Sequence, residues 1–584
     1  MAQSPSQAWP EQLHRAARGG KDAFDRTVFG WLLDLQRMPD IDISQDTLRE
    51  LLPLLAQWLR AAPLATPREQ LRLITVRHAL HGLVLASATA LDDFLAGALD
   101  LPGDILAALP WQRRKFALLG SSRLRKLPDL DAWSTRAPDE AWLFAIAALT
   151  QPPIGAATLG NMNAVVDMLA DAALPALPFE FLVEVNNASY GITFATHPRK
   201  YDARANLNRL LASWSPAAPA ATQLAPAAQA RKRLVVVSEN FTNMGVMDRC
   251  YSPVLAGLRD HFHVTWLAEA RTRGNTPPGL ADDLQFFETA ADGFPALATR
   301  IAALRPDVVF YPSVGMAPWT LFLACCRLAP LQVASIGHPG PVGTPAIDYL
   351  AVPEELAHPD AHLPEPLLTY SGHPIVGAPY RNEAFDAIRA LRRQPRSGPP
   401  RIGIDASAMK LNHDFLEAIH AVLAAAPAGT RLRFFPNTRG LQHITARAEL
   451  LALFPDAEVL PGTAFKPYME ALVECDLVLQ SFPVGGTNTT IDALALGIPT
   501  VCLASTEIQG RTDGMILQRI GLAHALLGCD RADWQDKAVR LLHDDAARAA
   551  LGERCAAALA ATLAAPDDAA SDFAARLRAL ADRD

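Results

Sequence analysis

Small polar residues crowd the turn 484-VGGTNTT-490, which joins an apolar segment typical of a buried strand to a helical segment that passes through Asp492 and stops at Gly497. The first amides of a helix have no intrahelical acceptor and lie at the positive end of its macrodipole, so they favour an anion such as a phosphate or diphosphate. Asp492, one turn into the helix, is suited to accept hydrogen bonds from a pair of sugar hydroxyls. The residues suited to approach or bind such a ligand are Gly485, Gly486, Thr487, Asn488, Thr489 and Thr490. A well-capped helix without a ligand is the alternative explanation.

Lys410 and His338 each lie in a loop that follows a predicted strand. Lys410, in 403-GIDASAMKLNHDF-415, could offset the charge that develops on a leaving diphosphate. His338, in 336-IGHPGPVGTPAIDYLAV-352, could contact a donor phosphate or an acceptor. Ligands of open α/β sheets bind outside the carboxyl ends of the strands, so both loops are candidates for one ligand site. A solvated lysine at a helix start and a structural histidine are the alternatives.

The glycine-rich turn lacks the spacing of the best-known nucleotide loops. It matches neither the GxGxxG fingerprint of dinucleotide-binding folds nor the GxxxxGK loop, followed by Ser or Thr, of nucleoside triphosphatases. A dehydrogenase and an NTPase are therefore disfavoured.

The elements that position these loops fall into a helical part and two α/β parts. From about Asp22 to Trp214, apolar residues recur at three and four, which predicts an all-α domain over 1–214. Pro and Ala without periodicity follow, so we predict a linker over 215–232.

Two series of short apolar segments then predict two doubly wound α/β domains with parallel sheets, over 233–390 and 400–584. The predicted strands are 234–239, 263–269, 307–313 and 331–339 in the first series, and 401–407, 431–436, 457–461, 476–482 and 499–504 in the second. A break rich in Pro and Arg, 391–400, separates the two series. Two such domains would form a cleft in which a donor and an acceptor could meet.

Size and charge narrow the class of protein. The 584 residues exceed what one hydrophobic core supports, and the net charge of -8 argues against a large nucleic-acid-binding surface. The seven cysteines form no CxxC pair and are predicted to be reduced thiols. No segment offers about 18 uninterrupted apolar residues, so we expect a cytoplasmic protein without a membrane span.

Four motifs, in this order along the chain, carry a family resemblance. They are IGHPG (336–340), GxxxSxMKLN (403–412), AFKPYMEAL (464–472) and SFPVGGTNTTIDALALGIP (481–499), and the segment 184-EVNNASYGITFATHPRKYDARANLN-208 extends the match into the helical half. Together they resemble the bacterial cytoplasmic N-glycosyltransferases that modify high-molecular-weight adhesins. The chain is similar, more distantly, to eukaryotic O-linked N-acetylglucosamine transferase.

The resemblance implies an all-α N-terminal domain followed by a GT-B transferase with two facing Rossmann-like domains. It also implies inverting, metal-independent transfer of glucose or galactose from a UDP-sugar to Asn in Asn-X-Ser/Thr of a polypeptide such as an adhesin. No cofactor or metal is then expected, and the UDP-sugar is a co-substrate. The rival interpretations are a transferase of the same fold that makes O-linkages or extends a sugar already on protein, and a non-catalytic scaffold that binds a partner.

Matching positions carry the family's residue roles. Lys410 matches a lysine on the diphosphate, and it is predicted to be catalytic together with His338. The predicted donor-binding residues are Ser407, Lys410, Tyr468, Gly486, Thr487, Asn488, Thr489, Asp492, Gly337 and His338. The chain departs from the family at Phe465, where a histidine is usual, and at Tyr251, where a cleft histidine is expected.

Overall fold

The computed structural model describes residues 8–216, 231–243, 245–288, 293–371, 385–392, 398–565 and 569–583. They divide into two compact units. The first unit consists of Met1–Asn206, Ser407–His413 and Phe434–Thr463, and the second of Leu207–Ala406, Asp414–Arg433 and Ala464–Asp584. Most of the predicted linker, 217–230, and the centre of the predicted break, 393–397, lie outside the described residues. The four domain boundaries read from the sequence stay predictions.

The N-terminal part of the first unit is helical, as its apolar periodicity predicts. Ser44 accepts a hydrogen bond from the amide of Thr47 at the start of the third helix, and Thr66 and Glu69 form a capping box at the start of the fourth. The helices are α1 (Trp9–Arg18), α2 (Lys21–Arg37), α3 (Gln45–Ala61), α4 (Pro67–Ala86), α5 (Leu91–Leu99), α6 (Pro110–Leu118), α7 (Leu130–Arg136), α8 (Pro138–Ala148), α9 (Ala156–Asp171), α10 (Leu182–Ile192) and α11 (Lys200–Ser213), with 3-10 turns at Ile105–Ala107 and Phe179–Phe181. The residues of α11 from Leu207 onward belong to the second unit.

Helix α8 forms the centre of this helical core. Eight consecutive residues of the helix, from Ala141 to Ala148, are buried. Phe144 stacks on Phe116 of α6 with ring centroids 5.8 Å apart, and it also contacts Trp133 of α7 at 5.5 Å. Aromatic packing of this kind adds to the stabilisation from burial alone.

The first sheet lies wholly in the second unit. Its strands are β1 (Lys232–Val237), β2 (Phe262–Glu269), β3 (Asp283–Phe287), β4 (Val308–Tyr311), β5 (Leu331–Ser335), β6 (Tyr349–Pro353) and β7 (Leu367–Tyr370). They run in the order β3-β2-β1-β4-β5-β6-β7, and every neighbouring pair is parallel. The four strands predicted in this series are confirmed. The sequence did not predict β3, β6 or β7, of which β3 and β7 are edge strands without a fully apolar run.

The second sheet comprises β8 (Arg401–Ile404), β9 (Arg431–Phe434), β10 (Glu458–Val459), β11 (Leu477–Leu479), β12 (Thr500–Leu503) and β13 (Leu527–Gly528). Their order is β10-β9-β8-β11-β12-β13, and the pairs of β11 with β8 and β12, and of β12 with β13, are parallel. The five predicted strands of this series are confirmed. Strand β11 is buried along its whole length, as the continuous apolar run predicts for a central parallel strand.

The remaining helices lie between the strands or after β13. They are α12 (Val246–Leu255), α13 (Leu258–His261), α14 (Phe294–Ala303), α15 (Pro318–Ala324), α16 (Phe385–Leu391), α17 (His413–Ala425), α18 (Gly440–Leu453), α19 (Phe465–Leu472), α20 (Asn488–Ala495), α21 (Ile508–Arg519), α22 (Ala523–Leu526), α23 (Arg531–His543), α24 (Asp545–Ala564) and α25 (Ala569–Ala581). Short 3-10 turns lie at Ala270–Thr272, Glu354–Leu356 and Ala408–Lys410. Helix α18 belongs to the first unit.

The last helix, α25, packs against the first sheet. Phe573 is buried with its ring centroid 5.2 Å from Phe310 of β4 and 5.1 Å from Tyr370 of β7. The carboxylate of Asp572 accepts a hydrogen bond from the amide of Ser371 at 2.8 Å. The first sheet therefore completes its core with residues from the far end of the chain.

Among the helices that the structure describes, no single one is long and apolar enough to cross a membrane. One bent pair, Pro67–Ala86 with Leu91–Leu99, meets the length and composition criteria together, with a bend of 114° between its members.

Candidate functional site

A carboxylate from helix α21 holds the glycine-rich turn. Asp513 accepts hydrogen bonds from the amides of Gly486 at 2.8 Å and Thr487 at 2.7 Å, and from the hydroxyl of Thr490 at 2.8 Å. The sequence assigned these two amides to a donor phosphate and did not indicate Asp513, although Asp513 lies in the nearby segment 507-EIQGRTDG-514. The donor-binding roles of Gly486 and Thr487 stay predictions. In the described residues, the amides of Asn488, Thr489 and Thr490 make no hydrogen bond. These three amides are therefore available to donate hydrogen bonds to an anion at the start of the helix.

The two glycines of the turn are required by close protein contacts. A Cβ atom at Gly485 would collide with the carboxylate of Asp513, and one at Gly486 would lie 2.6 Å from the side-chain carbon of the Gln480 carboxamide. Thr487 follows with a φ of 51°, in the left-handed region that few residues with a Cβ adopt. The turn is thus a tightly packed structure that a larger residue would open.

Asp492 on α20 forms a buried ion pair with Arg249 on α12. Nη2 of Arg249 donates to Oδ1 of Asp492 at 2.7 Å, and Asp492 is only 3% exposed. Burying two charges is favourable only when each has a close partner, so the pair fixes Asp492 in place. Sequence reasoning found Asp492 but missed Arg249, which stands beside the Tyr251 position that it did consider.

Asn488, one helical turn before Asp492, contacts the residue after Arg249. Its Nδ2 donates to Sγ of Cys250 at 3.3 Å. Burial raises the pKa of the Cys250 thiol, which therefore stays neutral. Two consecutive residues of α12 thus hold the two polar residues of α20 that the family resemblance selects.

Tyr251 does not take the place of a cleft histidine. Its side chain is 2% exposed, and its hydroxyl lies 3.1 Å from Oγ of Ser335 at the end of β5. Burial raises the pKa of this phenol, so it remains protonated. Tyr251 is accordingly part of the core of the first sheet.

Tyr468 on α19 is anchored to the loop after β8. Its hydroxyl donates to Oδ2 of Asp405 at 2.6 Å, and burial together with the nearby carboxylates of Asp405 and Asp492 raises its pKa. The ring of Phe465 lies 5.9 Å from that of Tyr468 at an angle of 56°. An aromatic pair therefore occupies the position where the family has a histidine and a tyrosine.

Gly337 and His338 follow β5 in a closely packed loop. The amide of Gly337 donates to the carbonyl of Pro312 at 3.0 Å, and a Cβ atom at Gly337 would lie 2.7 Å from Cβ of Ser313. His338 is 1% exposed. This burial fits the structural-histidine alternative, and the ligand contact of His338 stays a prediction.

Ser407 and Lys410 share one loop of the first unit. Ser407 precedes the 3-10 turn Ala408–Lys410, and its carbonyl accepts a hydrogen bond from the amide of Lys410 at 2.8 Å. The amide of Ala408 donates to the carbonyl of Pro436 at 2.9 Å, which ties this loop to the loop after β9. Among the predicted residues, the structure thus brings together Ser407 with Lys410 in the first unit, and Asn488 with Asp492 in the second.

The side chains suited to metal binding are dispersed. Within the ranges that the structure describes, no group of three or more His, Cys, Asp or Glu side chains is placed to hold a metal ion. Metal independence stays a prediction.

Comparison with curated proteins identifies glycosyltransferase relatives, while no family model matches the chain. The UDP-glucose:protein N-beta-glucosyltransferase of Actinobacillus pleuropneumoniae serotype 5b (strain L20) is 28% identical over 316 residues, which cover 53% of this chain and 50% of that protein. The protein of the same name from serotype 7 (strain AP76) is 31% identical over 238 residues, 40% of this chain and 38% of that one. A probable UDP-N-acetylglucosamine-peptide N-acetylglucosaminyltransferase, SPINDLY of Arabidopsis thaliana, is 26% identical over 244 residues, 39% of this chain and 25% of that one. The chain spans half the length, or less, of these relatives.

Comparison with solved structures supports the fold. A mutant of the O-GlcNAc transferase of Thermobaculum terrenum superposes with a TM-score of 0.59 at 17% sequence identity, covering 96% of this chain and 97% of that one. The predicted fold class, a GT-B fold preceded by an all-α region, is confirmed. The resemblance to protein N-glycosyltransferases and, more distantly, to O-linked N-acetylglucosamine transferases is confirmed as well.

Proposed function

We propose that this chain is a protein N-glycosyltransferase that moves a hexose, glucose or galactose, from a UDP-sugar to Asn in Asn-X-Ser/Thr of a polypeptide such as an adhesin. The reaction inverts the anomeric configuration, needs no metal and takes place in the cytoplasm. The observation that carries the proposal is the similarity, at 28% and 31% identity, to two proteins named UDP-glucose:protein N-beta-glucosyltransferase. The buried polar residues at the carboxyl ends of the second sheet support it, because ligands of such sheets bind there.

The second unit supplies the groups that hold the nucleotide sugar. Asp492 is fixed by Arg249 at 2.7 Å, and its carboxylate is the acceptor for hydrogen bonds from sugar hydroxyls. The free amides at the start of α20 bind the diphosphate, and the Tyr468 side chain lies beside the base. Gly337 and His338 contribute from the loop after β5.

Groups of the chain itself stabilise the negative charge of the diphosphate in place of a metal ion. Lys410 and the helix-start amides neutralise the diphosphate as the bond from the anomeric carbon to the diphosphate oxygen breaks. The amide nitrogen of the acceptor Asn forms the new bond to that carbon from the opposite face, and it loses one proton to solvent. UDP leaves with the electron pair of the broken bond. Catalysis then depends mainly on positioning and on stabilisation of the leaving group.

An O-linked product is the alternative, and the more distant resemblance of the sequence to O-linked N-acetylglucosamine transferase favours it. SPINDLY of Arabidopsis thaliana, at 26% identity, carries the name of a peptide N-acetylglucosaminyltransferase. A transferase of the same fold that modifies Ser or Thr would use the same donor residues. The two functions differ in the atom that receives the sugar.

The deciding experiment offers a panel of UDP-sugars and a peptide containing Asn-X-Thr to the full chain in the presence of EDTA. We expect a mass gain of one hexose, located on Asn by electron-based fragmentation, and no gain when Asn is replaced by Gln. Sugar on Thr of both peptides would instead favour the O-linked alternative. No transfer from any donor would refute both functions, and UDP binding measured by thermal shift would then show whether the nucleotide site survives.

A further inference from the structure

Helix α21 holds the glycine-rich turn at more points than Asp513 alone. The carbonyl of Gln509 accepts a hydrogen bond from the amide of Gly485 at 3.2 Å, and the hydroxyl of Thr512 accepts one from the hydroxyl of Thr487 at 2.8 Å. Three residues of the first part of α21, counting Asp513, are therefore hydrogen-bonded to the turn. The geometry of the turn depends on where this helix lies.

The helix also packs too closely on the turn to move independently of it. A Cβ atom at Gly510 of α21 would lie 2.5 Å from the carbonyl oxygen of Pro483, which immediately precedes the turn. The side chain of Asp513 is 2% exposed, so the contact between helix and turn is buried. Close-packed protein interiors have low compressibility and transmit strain. A shift of α21 is therefore expected to displace the turn.

Two arginines of the same helix contact a residue that follows the first sheet's strand β6. Nε and Nη2 of Arg519 donate to Oε1 of Glu355 at 2.9 and 2.6 Å, and Nη2 of Arg511 donates to the carbonyl of Glu355 at 2.8 Å. Glu355 lies in the 3-10 turn Glu354–Leu356, which Leu356 anchors because its side chain is fully buried. Glu355 thus holds α21 near its start and at its end.

The ion pair between Glu355 and Arg519 is partly shielded from water. The side chain of Arg519 is 8% exposed and that of Glu355 is 34% exposed. Hydrogen bonds between charged groups are stronger than neutral ones, and a partly buried pair is screened less by salt than an exposed pair. Without the Glu355 carboxylate, the Arg519 guanidinium would stay buried but lose this partner. That loss favours a movement of α21 that returns the guanidinium to water.

We propose that Glu355 is a positioning residue for the nucleotide-sugar site, which holds the glycine-rich turn in place through α21 without contacting the ligand. The connection runs from Glu355 to the two arginines, along α21 to Asp513, and from Asp513 to the amides of the turn. The inference rests on the proposed function, since that function places the diphosphate at this turn. It makes donor binding depend on a residue that follows the first sheet's strand β6.

The first test measures the affinity of the full chain for UDP by calorimetry. Glu355→Gln removes the negative charge and keeps the size of the side chain, and we expect it to bind UDP at least about 5-fold more weakly than the parent. Arg519→Met removes the other member of the pair and should weaken UDP binding by a similar factor. The matched control is Glu354→Gln, at the exposed neighbouring position of the same 3-10 turn, which should bind UDP like the parent. Parental UDP affinity in either Glu355→Gln or Arg519→Met would overturn the inference.

A double-mutant cycle then tests the route through α21. If Glu355 acts through Asp513, the double variant Glu355→Gln/Asp513→Asn should bind UDP within about 2-fold of Asp513→Asn alone, because the route is already broken. Losses of affinity that multiply would show that Glu355 acts independently of the turn, and would overturn the inference. Initial rates give a second measurement. In Glu355→Gln the KM for the UDP-sugar should rise by a larger factor than kcat falls, since donor binding is lost in the ground state and the transition state alike.

These outcomes separate the positioning role of Glu355 from the reaction. If the parent transfers sugar to Asn while Glu355→Gln binds UDP like the parent, the proposed function stands and the inference fails. If the cycle shows coupling between Glu355 and Asp513 in UDP binding but the parent transfers no sugar, the inference stands and the proposed function fails. A parent that does not bind UDP would overturn the inference.

Discussion

Nη2 of Arg249 lies 2.7 Å from Oδ1 of Asp492, and both side chains are buried. The two residues are more than 200 positions apart in the chain, yet they form one ion pair between the helix after β1 and the helix after β11. The residue that the family resemblance assigns to the nucleotide sugar is therefore held by a residue of the other sheet's helix layer. The position of Asp492 in the proposed donor site therefore depends on the packing of α12 and α20 within the second unit.

Replacing one member of this pair should lower the free energy of unfolding much more than replacing both. Arg249→Met leaves the Asp492 carboxylate buried without its partner, so we expect the free energy of unfolding to fall by about 3 to 5 kcal/mol. The double variant Arg249→Met/Asp492→Leu removes the uncompensated charge and should recover most of that loss. Urea unfolding of both variants measures the difference. A double variant less stable than the single one would show that the pair does not act as a unit.

Asp513→Asn should open the glycine-rich turn. The new NH₂ group would face the amides of Gly486 and Thr487 or leave one of them unpaired, which is expected to lower stability by about 1 to 3 kcal/mol. We also expect UDP to bind at least several-fold more weakly, because the start of α20 loses its geometry. Thr490→Val, which removes only the 2.8 Å hydroxyl contact to Asp513, is the matched control and should have a smaller effect on both quantities. UDP titration by calorimetry and thermal unfolding provide the two measurements.

Lys410→Ala should lower the rate of sugar transfer by about 100-fold or more. The side chain supplies charge that is needed most when the diphosphate leaves, so kcat falls and the fold remains. Lys410→Arg retains the positive charge and should recover part of the rate. Initial rates with saturating UDP-glucose and peptide, together with thermal unfolding, check both statements. An alanine variant as fast as the parent would remove Lys410 from the mechanism.

His81 should make the first unit less stable in mild acid. Burial and the charges of Arg77 and Arg123 lower its pKa from 6.5 to about 3 in the folded protein. The unfolded chain binds a proton below pH 6.5 and the folded chain does not, so the stability is fully present above that pH and is lost as the pH falls toward 3. The loss at pH 5 should be about 2 kcal/mol.

The variant His81→Gln removes this titration and should reduce the dependence of unfolding free energy on pH between 7 and 5, while the buried His78, whose pKa burial also lowers, leaves part of it in place. An unchanged slope in His81→Gln would mean that the histidine is already charged, or solvated, in the folded chain.

The sequence predicted helices and strands better than it predicted which distant residues contact one another. Its strand at 263–269 differs from β2 by one residue, because a buried parallel strand is a continuous apolar run that local composition reveals. Asp513 could not be assigned in this way, since its hydrogen bonds to Gly486 and Thr487 depend on how α21 packs against the turn. The same holds for Arg249, whose partner lies in a distant helix.

The glycines of the turn illustrate the limit of local reasoning. Their presence indicated a close approach of the backbone to something, and the sequence interpretation chose a phosphate. In the structure, the groups that approach Gly485 and Gly486 are Asp513 and Gln480. The pattern therefore revealed the geometry of the turn correctly, whereas the identity of the neighbours needed the tertiary structure.

The packing of α25 on the first sheet has a consequence for synthesis on the ribosome. Phe573 contacts Tyr370, the last residue of that sheet, which is made about 200 residues earlier. At ordinary translation rates, about 10 to 40 s separate the two. During that interval the ring of Phe310 lacks its contact with Phe573. The core of the first sheet is therefore completed only after α25 has left the exit tunnel.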